Sequence, residues 1–261
     1  MHHPLAVIHQ DAVIGDNVTI GPFVSIEADV EIGEGTWIGP NAVIMSGARI
    51  GKNCKIFSGA VVSSIPQDLK FNGESTLLII GDNTVVREYC TLNRGTAANK
   101  KTVIGSNCLL MAYVHVAHDC EVGNNCILAN NATLAGHVVV DDNVILGGMV
   151  AVQQFTRIGA FSMLGGGVLL NKDVPPFVRV ARYPASFIGV NVIGLKRKGF
   201  AADAIKRIEE IYHRLFVAVQ NRTEAVKLIN AELPDSSEKS LIMDFVENAQ
   251  NGIIKGPRRG A

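Results

Sequence analysis

A six-residue repeat of aliphatic residues runs through the first two thirds of the chain and dominates what the chain can fold into. Of the 28 positions reached by stepping six residues at a time from Ile8 to Leu170, 25 are Ile, Leu or Val. Glycine often follows the aliphatic residue, and a small or β-branched residue lies four places after it. This hexapeptide period is typical of a parallel β-helix, in which each repeat contributes one short strand.

Three repeats make one triangular coil, so residues 18 apart in sequence are predicted to form columns on stacked coils. Neighbouring coils are expected about 4.8 Å apart, the spacing of paired strands. The aliphatic residue of each repeat points into the prism. The cysteines occupy another fixed position of the repeat that elsewhere holds alanine, and this position predicts small buried core residues rather than redox or metal sites: Cys54, Cys90, Cys108, Cys120 and Cys126.

Two interruptions break the repeat, at about 63–75 and 94–101, where Pro, Gly and charged residues replace aliphatic ones. A closed prism cannot bury such residues, so both segments are predicted to form excursion loops on the outside. Beyond Leu170 the pattern changes, and Pro175–Pro176 is expected to end the coils. We therefore predict an all-β solenoid plus α: a parallel β-helix over 1–190 and a C-terminal α-helical domain of three short helices over 191–261.

Charge and composition exclude several classes of function. The 24 basic and 24 acidic residues balance, so no global field recruits nucleic acid or an anionic membrane. No apolar run approaches the ~18 residues of a spanning helix, and the N-terminus lacks a secretion signal. Five cysteines without a CxxC pair fit a reducing compartment, so we predict a cytoplasmic protein without membrane insertion.

Three of the seven histidines, His115, His118 and His137, lie in one stretch of the repeat. His118, Gly136 and Gln154 are 18 residues apart, so they should stack in one column, with both His118 and His137 facing outward. An imidazole with a pKa near ~6.5 can take a proton from a hydroxyl. A glycine amide can hold an oxyanion, and Asp119 can orient the imidazole of His118.

This grouping suits acyl transfer. Because no serine or cysteine nucleophile accompanies it, direct transfer is favoured over an acyl-enzyme. A zinc site of His115, His118 and Cys120 is the rival interpretation, although Cys120 is in an inward position. A catalytically silent scaffold is a third interpretation, but it does not explain why His and Asp cluster on an outer face.

Several motifs stand out beyond the repeat: QDLK at 67–70, NRGT at 93–96, HVAHDC at 115–120, ILANNATLAGH at 127–137, GGM at 147–149, DVPP at 173–176, and GVN and GLKRKGF within 189–200. With these motifs the chain resembles one family, the acyl-carrier-protein-dependent O-acyltransferases that act on UDP-N-acetylglucosamine at the start of lipid A synthesis. The resemblance covers nearly the whole chain and implies that the β-helix is left-handed.

The resemblance implies roles for individual residues. His118 is the general base for the glucosamine 3-hydroxyl, Asp119 supports it, and the Gly136 amide forms the oxyanion hole. The residues implied to hold the sugar are Asp68, Lys70, His115 and His137. Those implied to hold the diphosphate and uridine are Gln154, Asn191 and Arg197. Gly166 lies where a bulky residue would shorten the acyl groove, which implies a long 3-hydroxyacyl chain.

The resemblance also implies a homotrimer with sites between subunits, and acyl carrier protein and UDP-N-acetylglucosamine as partners. No cofactor or metal is expected, since the phosphopantetheine thioester of the carrier protein is a substrate. Acyl carrier protein is acidic, so a basic docking surface is required. The candidates are Lys172, Arg179, Arg182, Lys196, Lys198 and the neighbouring Arg197.

Four departures distinguish this sequence from better-known members of the family. Asn93 and Gln153 each replace a histidine, Ile193 replaces a glutamate, and Tyr183–Pro184 replaces an Asn–His pair. The first two leave the 3-amino analogue of the UDP-sugar as an alternative acceptor. The last obscures how acyl length is measured.

Overall fold

The computed structural model describes residues 1–219 and 221–256, and they form a parallel β-helix followed by helices. Residues 220 and 257–261 of the predicted C-terminal domain lie outside this part. The β-helix has three faces, sheets of nine, eight and ten strands among the described residues. Each strand pairs with the strand one coil away, and registers such as His115 with Thr133 reproduce the 18-residue step.

The strands of each face are short, as a six-residue repeat requires. Sheet 1 contains β1 (Val7–Ile8), β4 (Ser25–Ile26), β7 (Val43–Ile44), β10 (Val61–Ser64), β13 (Thr91–Asn93), β16 (His115–Val116), β19 (Thr133–Leu134), β22 (Ala151–Val152) and β25 (Leu169–Leu170). Sheet 2 contains β2 (Val13–Ile14), β5 (Val30–Ile32), β8 (Ala48–Ile50), β11 (Leu77–Ile80), β14 (Lys101–Ile104), β17 (Glu121–Val122), β20 (Val139–Val140) and β23 (Arg157–Ile158). Sheet 3 contains β3 (Thr19–Ile20), β6 (Trp37–Ile38), β9 (Lys55–Ile56), β12 (Val85–Val86), β15 (Leu109–Leu110), β18 (Ile127–Leu128), β21 (Ile145–Leu146), β24 (Met163–Leu164), β26 (Val178–Ala181) and β27 (Ser186–Val190).

The aliphatic position of the repeat fills the interior of the prism, as predicted. From Ile20 to Leu170 the Ile, Leu and Val residues of the register are at most 4% exposed. Burying each such side chain contributes about 1.5–3 kcal/mol. The five cysteines are buried free thiols, and burial raises the pKa of Cys120 to about 12. The prediction that they are core residues is confirmed.

The corners between faces are tight turns whose second residue has a positive φ angle. At the corner between sheets 1 and 2 this residue is Asp119 (φ 58°), His137 (φ 60°) and Phe155 (φ 65°) on three successive coils. A positive φ is uncommon outside glycine. Because the three residues share this angle at the same position of the turn, their side chains point in the same direction. We call His118, Asp119, Gly136, His137, Gln154 and Phe155 the histidine corner.

Both interruptions of the repeat are connections between sheet 1 and sheet 2. Residues 65–76 join β10 to β11, and residues 94–100 join β13 to β14. Their bases are tied together, because the Arg94 amide donates to the Ser64 carbonyl (3.0 Å) and Asn93 Nδ2 donates to Ser64 Oγ (2.6 Å). The second loop does not simply leave the surface but lies over the histidine corner.

Pro175–Pro176 does not end the sheets, contrary to the expectation from sequence. Strand β26 continues sheet 3 beyond the prolines, with Met163 opposite Arg179, and β27 then pairs antiparallel with β26. The Ser162 hydroxyl donates to the Pro175 carbonyl (2.8 Å). This contact holds the proline segment against the last coil.

The C-terminal part contains four α-helices among the described residues, one more than predicted. They are α1 (Val192–Arg197), α2 (Ala202–His213), α3 (Arg222–Glu232) and α4 (Ser237–Glu247), and a π-helical segment (Arg214–Ala218) continues α2. Tyr212 is fully buried and its hydroxyl donates to the Pro176 carbonyl (2.6 Å), so α2 is fixed to the end of the prism. No helix in residues 1–219 and 221–256 has the length and apolar character to cross a membrane.

Candidate active site

A histidine–aspartate pair lies at the centre of the histidine corner. Nδ1 of His118 and Oδ2 of Asp119 are 2.8 Å apart. Adjacent residues can make this bond because the positive φ of Asp119 turns its carboxylate back towards the preceding side chain. The corner geometry that the sequence required for this pair is therefore present.

The second excursion loop holds the Asp119 carboxylate. Oδ1 accepts from the Thr96 amide (2.9 Å) and the Asn99 amide (3.2 Å), and Oδ2 accepts from the Thr96 hydroxyl (2.6 Å). The Asp119 amide in turn donates to Thr102 Oγ1 (2.8 Å). The carboxylate is thus saturated with donors, as a buried charge must be.

This loop also corrects one expectation. His118 and His137 do lie outside the prism core, but they do not face open solvent. His118 is 9% exposed and Asp119 is 1% exposed, because residues 94–100 cover the corner. Burial alone would raise the pKa of the Asp119 carboxyl, but the hydrogen bonds from Thr96 and His118, with the nearby His137, hold this pKa below its usual value.

Gly136 lies against the ring of His118, one coil further along. A methyl group at Gly136 would be 2.6 Å from Cε1 and 2.7 Å from Nε2 of that ring, so only glycine leaves room for the imidazole. Within the described chain, the Gly136 amide donates to no protein acceptor. The residue that packs against Nε2, the ring nitrogen that Asp119 leaves unoccupied, thus has a free amide.

His137 and Phe155 complete the corner. His137 Nε2 is 3.6 Å from Asp119 Oδ2, and its ring packs edge-on against that of His118 with centroids 5.2 Å apart. The Phe155 ring stacks on the other side of His137 at 4.7 Å. His137 is therefore held between Phe155 and the His118–Asp119 pair.

His115 lies on β16 and is oriented separately. Its Nδ1 is 2.7 Å from the Thr91 hydroxyl on the neighbouring strand, and burial lowers its pKa. The zinc set of His115, His118 and Cys120 is not assembled, because Cys120 is 0% exposed and its thiol donates inward to the Ala135 carbonyl (3.1 Å).

His118, Asp119 and His137 present ligand atoms within 4.8 Å of one another, so a metal site at this corner must be considered. The four donors on Asp119 come from Thr96, Asn99 and His118. They occupy the lone pairs that a cation would need. The carboxylate therefore fits a hydrogen-bonded partner of an imidazole better than a metal ligand.

Among the described residues, no hydrogen bond joins the other predicted substrate residues to the His118–Asp119 pair. Asp68 Oδ1 accepts from the Lys70 amide (3.0 Å) in a local turn of the first loop. Gln154 is exposed one coil above Gly136, and Arg197 is exposed at the end of α1. Asn191 is engaged within the chain, since its Oδ1 caps α1 at Gly194 N (3.3 Å) and its Nδ2 donates to the Phe161 carbonyl (2.9 Å).

Two of the predicted docking residues share one cavity, and Gly166 lies at a different corner from His118. Lys172 and Arg182 line one cavity, which Arg179 on β26 and Lys196 and Lys198 at α1 do not line. Gly166 lies between sheets 3 and 1, where a methyl group would be 3.2 Å from the Gly148 carbonyl.

Sequence reasoning missed Thr96, Asn99, Thr102 and Phe155. Phe155 could have been found, because it follows His137 by one coil of 18 residues. Thr96 and Asn99 in the second loop and Thr102 on β14 could not, because the insertion between β13 and β14 breaks the 18-residue spacing that relates one coil to the next.

Comparisons with known proteins agree with this architecture. A family model described as UDP-N-acetylglucosamine O-acyltransferase, domain 2, matches residues 173–254, and a model of bacterial transferase hexapeptides matches 29–64 and 101–136. The chain is 52% identical over 252 residues to an acyl-[acyl-carrier-protein]–UDP-N-acetylglucosamine O-acyltransferase of Sulfurihydrogenibium sp. (strain YO3AOP1), covering 96% of this chain and 93% of that one. It is 45% identical to the Stenotrophomonas maltophilia (strain K279a) protein of the same name, with 97% of each chain covered.

Solved structures of UDP-N-acetylglucosamine acyltransferases show the same fold. A UDP-N-acetylglucosamine acyltransferase from Bacteroides fragilis superposes with a TM-score of 0.95 at 45% identity, covering 98% of this chain and all of that one. The Francisella novicida enzyme gives a TM-score of 0.95 at 37% identity, covering 99% and 95%. The fold is thus a left-handed β-helix with a C-terminal helical part, as predicted. The chain belongs to the acyl-[acyl-carrier-protein]–UDP-N-acetylglucosamine O-acyltransferase family and is an acyltransferase.

Proposed function

We propose that the protein transfers a (3R)-3-hydroxyacyl chain from acyl carrier protein to the glucosamine 3-hydroxyl of UDP-N-acetylglucosamine, the first step of lipid A synthesis. Both substrates are those in the names of its relatives. The observation that carries the proposal is the pairing of a carboxylate-bound imidazole with an unused amide one coil away. Such a pair suits attack of a hydroxyl on a thioester.

In the proposed reaction, the Asp119 carboxylate accepts a hydrogen bond from the Nδ1–H of His118, which holds the tautomer whose Nε2 lone pair is available. Nε2 removes the proton from the sugar 3-hydroxyl as its oxygen attacks the thioester carbon. The Gly136 amide donates to the resulting oxyanion. Collapse of the tetrahedral intermediate releases the thiolate, which takes the proton from His118, and Asp119 stabilises the imidazolium meanwhile.

Direct transfer is supported by the surroundings of the imidazole. In the part of the chain that the structure describes, no serine hydroxyl or cysteine thiol is hydrogen-bonded to His118. The thiol that follows, Cys120, is turned into the core, with its pKa raised to about 12. An acyl-enzyme would need an ionised or activated nucleophile at this point.

Roles for the remaining residues follow the family resemblance. We assign His115, His137, Asp68 and Lys70 to the sugar, and Gln154, Asn191 and Arg197 to the diphosphate and uridine. The intramolecular bonds of Asn191 leave its carbonyl oxygen and amide only partly available. The family resemblance implies sites between subunits, so we further propose a homotrimer in which neighbouring subunits complete each site.

The test is transfer of a radiolabelled 3-hydroxyacyl group from acyl carrier protein to UDP-N-acetylglucosamine, with excess chelator present. Replacing His118 by alanine should lower the rate by roughly 10²–10⁴-fold, whereas His213→Ala, on the exposed side of α2, should not. Chelator-sensitive transfer would contradict the metal-free reaction. Transfer only to the 3-amino analogue would identify that sugar as the acceptor, and transfer to neither acceptor would refute the proposal.

A further inference from the structure

The regular stacking of the histidine corner ends at Phe155. At this corner the amide of each turn residue donates to a carbonyl on the preceding coil: His137 to His118 (3.0 Å), and Phe155 to Gly136 (3.2 Å). Asp173 follows Phe155 by 18 residues, but its amide donates to the Gly252 carbonyl (3.0 Å) instead of continuing the series. Another segment of the chain therefore takes the place of the coil that would cover Phe155.

That segment is residues 251–254, which we call the C-terminal segment. Ile253 pairs with Asp173 in a parallel bridge. Asn251 is held at both ends of its backbone, because its amide donates to Asp173 Oδ2 (3.2 Å) and its carbonyl accepts from Lys172 Nζ (2.7 Å). Asp173 is 2% exposed, so the C-terminal segment is anchored to a buried group at the end of the prism.

The side chain of Asn251 connects this segment to the histidine corner. Its Nδ2 donates to the carbonyl of Phe155 (2.6 Å), 96 residues away in sequence. The other end of the corner has a similar contact, since Asn99 Nδ2 donates to the carbonyl of Asp119 over 3.5 Å. Two carboxamides from outside the repeat thus hold the first and last turns of one column.

Phe155 has two properties that make its position depend on this bond. Its φ of 65° is uncommon for a residue that carries a side chain, so its backbone conformation must be held by its surroundings. Its ring is 58% exposed, so packing does not enclose it. The ring in turn stacks on His137 with centroids 4.7 Å apart. A shift of the Phe155 backbone would therefore move the surface against which the imidazole of His137 rests.

We propose that Asn251 is a positioning residue for acyl transfer, which acts through the Phe155 carbonyl to fix the ring that orients His137. Its effect on the rate rests on the proposed function, in which His137 holds the sugar. The competing explanation is that the C-terminal segment only closes the end of the prism. In that case the loss of the Asn251 side chain would lower stability and leave the His137 ring in place.

The first measurement follows the His137 ring by NMR and needs no substrate. In protein with isotope-labelled histidine, the stacked ring of Phe155 displaces the His137 signals, and Phe155→Leu gives their positions without that ring. Asn251→Ala should move the signals towards those positions. Asn248→Ala is the matched control and should leave them unchanged, because its exposed carboxamide donates to the Asp244 carbonyl (2.8 Å) at the end of α4.

The second measurement is the rate of acyl transfer at limiting UDP-N-acetylglucosamine. Asn251→Ala should lower kcat/KM for this substrate roughly three- to tenfold, as the loss of one uncharged hydrogen bond does, and leave the KM for acyl carrier protein unchanged.

Asn251→Asp tests the donor itself, because it keeps the shape of the side chain. The ionised carboxylate cannot donate to Phe155, and the neighbouring Asp173 carboxylate raises the pKa of the new carboxyl. As the pH falls through that pKa, the carboxyl becomes protonated and can donate. The defect of Asn251→Asp should therefore shrink in acid, whereas that of Asn251→Ala, which keeps Asp173 and Lys172, should not.

The outcomes separate positioning from simple closure of the prism. Unmoved His137 signals in Asn251→Ala, whatever its melting temperature, would overturn the inference, and so would equal losses of rate in Asn251→Ala and Asn248→Ala. If Asn251→Ala does not fold, Asn251→Asp at neutral pH provides the same comparison of His137 signals. Absence of transfer by wild type would refute the proposed function instead, and the NMR comparison would still decide whether Asn251 fixes the His137 ring.

Discussion

Replacing Gly136 by alanine tests whether the bare backbone of this residue makes room for the His118 imidazole. The added methyl group would lie 2.6 Å from Cε1 of the ring, whereas ordinary contact begins at 3.4 Å. The ring must therefore move by roughly 0.8 Å. Because N–H···O distances span only about 0.5 Å, the ring cannot absorb this shift and keep its place between Asp119 and His137.

The expected result is a loss of rate without a loss of folding. A misplacement of about 1 Å costs around 10²-fold in rate, so kcat for acyl transfer should fall by about that factor. Gly136 does not have a positive φ, so its backbone accepts alanine. The reduced freedom of the unfolded chain favours the variant by about 0.4–1 kcal/mol, which offsets part of the clash and leaves the melting temperature nearly unchanged.

Initial rates with acyl carrier protein as donor, together with thermal melting, check this expectation. Gly165→Ala is the matched control, because its methyl group would meet its nearest neighbours at 3.5 and 3.6 Å. Alanine keeps the N–H at position 136, so the variant separates space for the ring from the oxyanion contact. A folded Gly136→Ala enzyme with a rate within about threefold of wild type would refute the steric reasoning.

Three further predictions concern residues that hold the structure around the site. Thr96→Val removes a hydrogen bond to a charged group, worth about 1.5–3 kcal/mol, and Thr96→Ser should restore it. The pKa of Asp119 is depressed in the folded protein, so the stability that its ionised carboxylate contributes is fully present above the ordinary carboxyl pKa. This contribution is lost as the pH falls through the folded-state pKa, and urea titrations should show the wild-type advantage over Thr96→Val shrinking in acid. Asn191→Ala removes the cap of α1 and should cost about 0.5–2 kcal/mol by denaturant titration, and an unchanged midpoint would show that the cap is dispensable. Lys239→Met should cost about 1–3 kcal/mol, because Nζ is a buried donor to the Asn230 and Leu233 carbonyls that would lose their partner; Lys227→Met is its exposed control.

The repeat made most of the fold predictable because each coil contacts only its neighbours. One register, read from Ile8 onward, gave the interior positions, the three faces and the columns along the corners. The column of His118, Gly136 and Gln154 followed from the same spacing. His118 and Asp119, although adjacent, can form a hydrogen bond because Asp119 has a positive φ angle. The six-residue period does not predict that backbone conformation.

Features outside the repeat were not predictable in the same way. The pairing of β26 with β24 depends on contacts such as Ser162 with the Pro175 carbonyl, which join residues 13 apart across an irregular coil. Helix α1 is short, with six residues, and so spans fewer than two turns and shows no repeated apolar period. Its start is fixed by Asn191, whose polar side chain had been assigned to a ligand.

The division between prism and loop has a physical reason. A core lined by aliphatic side chains cannot stabilise a carboxylate, so an ionised aspartate must lie on the outside of the coils. On an open corner, however, water would weaken its interaction with the imidazole. Residues 94–100 resolve this conflict, because they exclude water from Asp119 and supply the amides and hydroxyl that keep it ionised. Loss of these donors should therefore lower the rate of acyl transfer as well as the stability measured for Thr96→Val, because both depend on the same buried carboxylate.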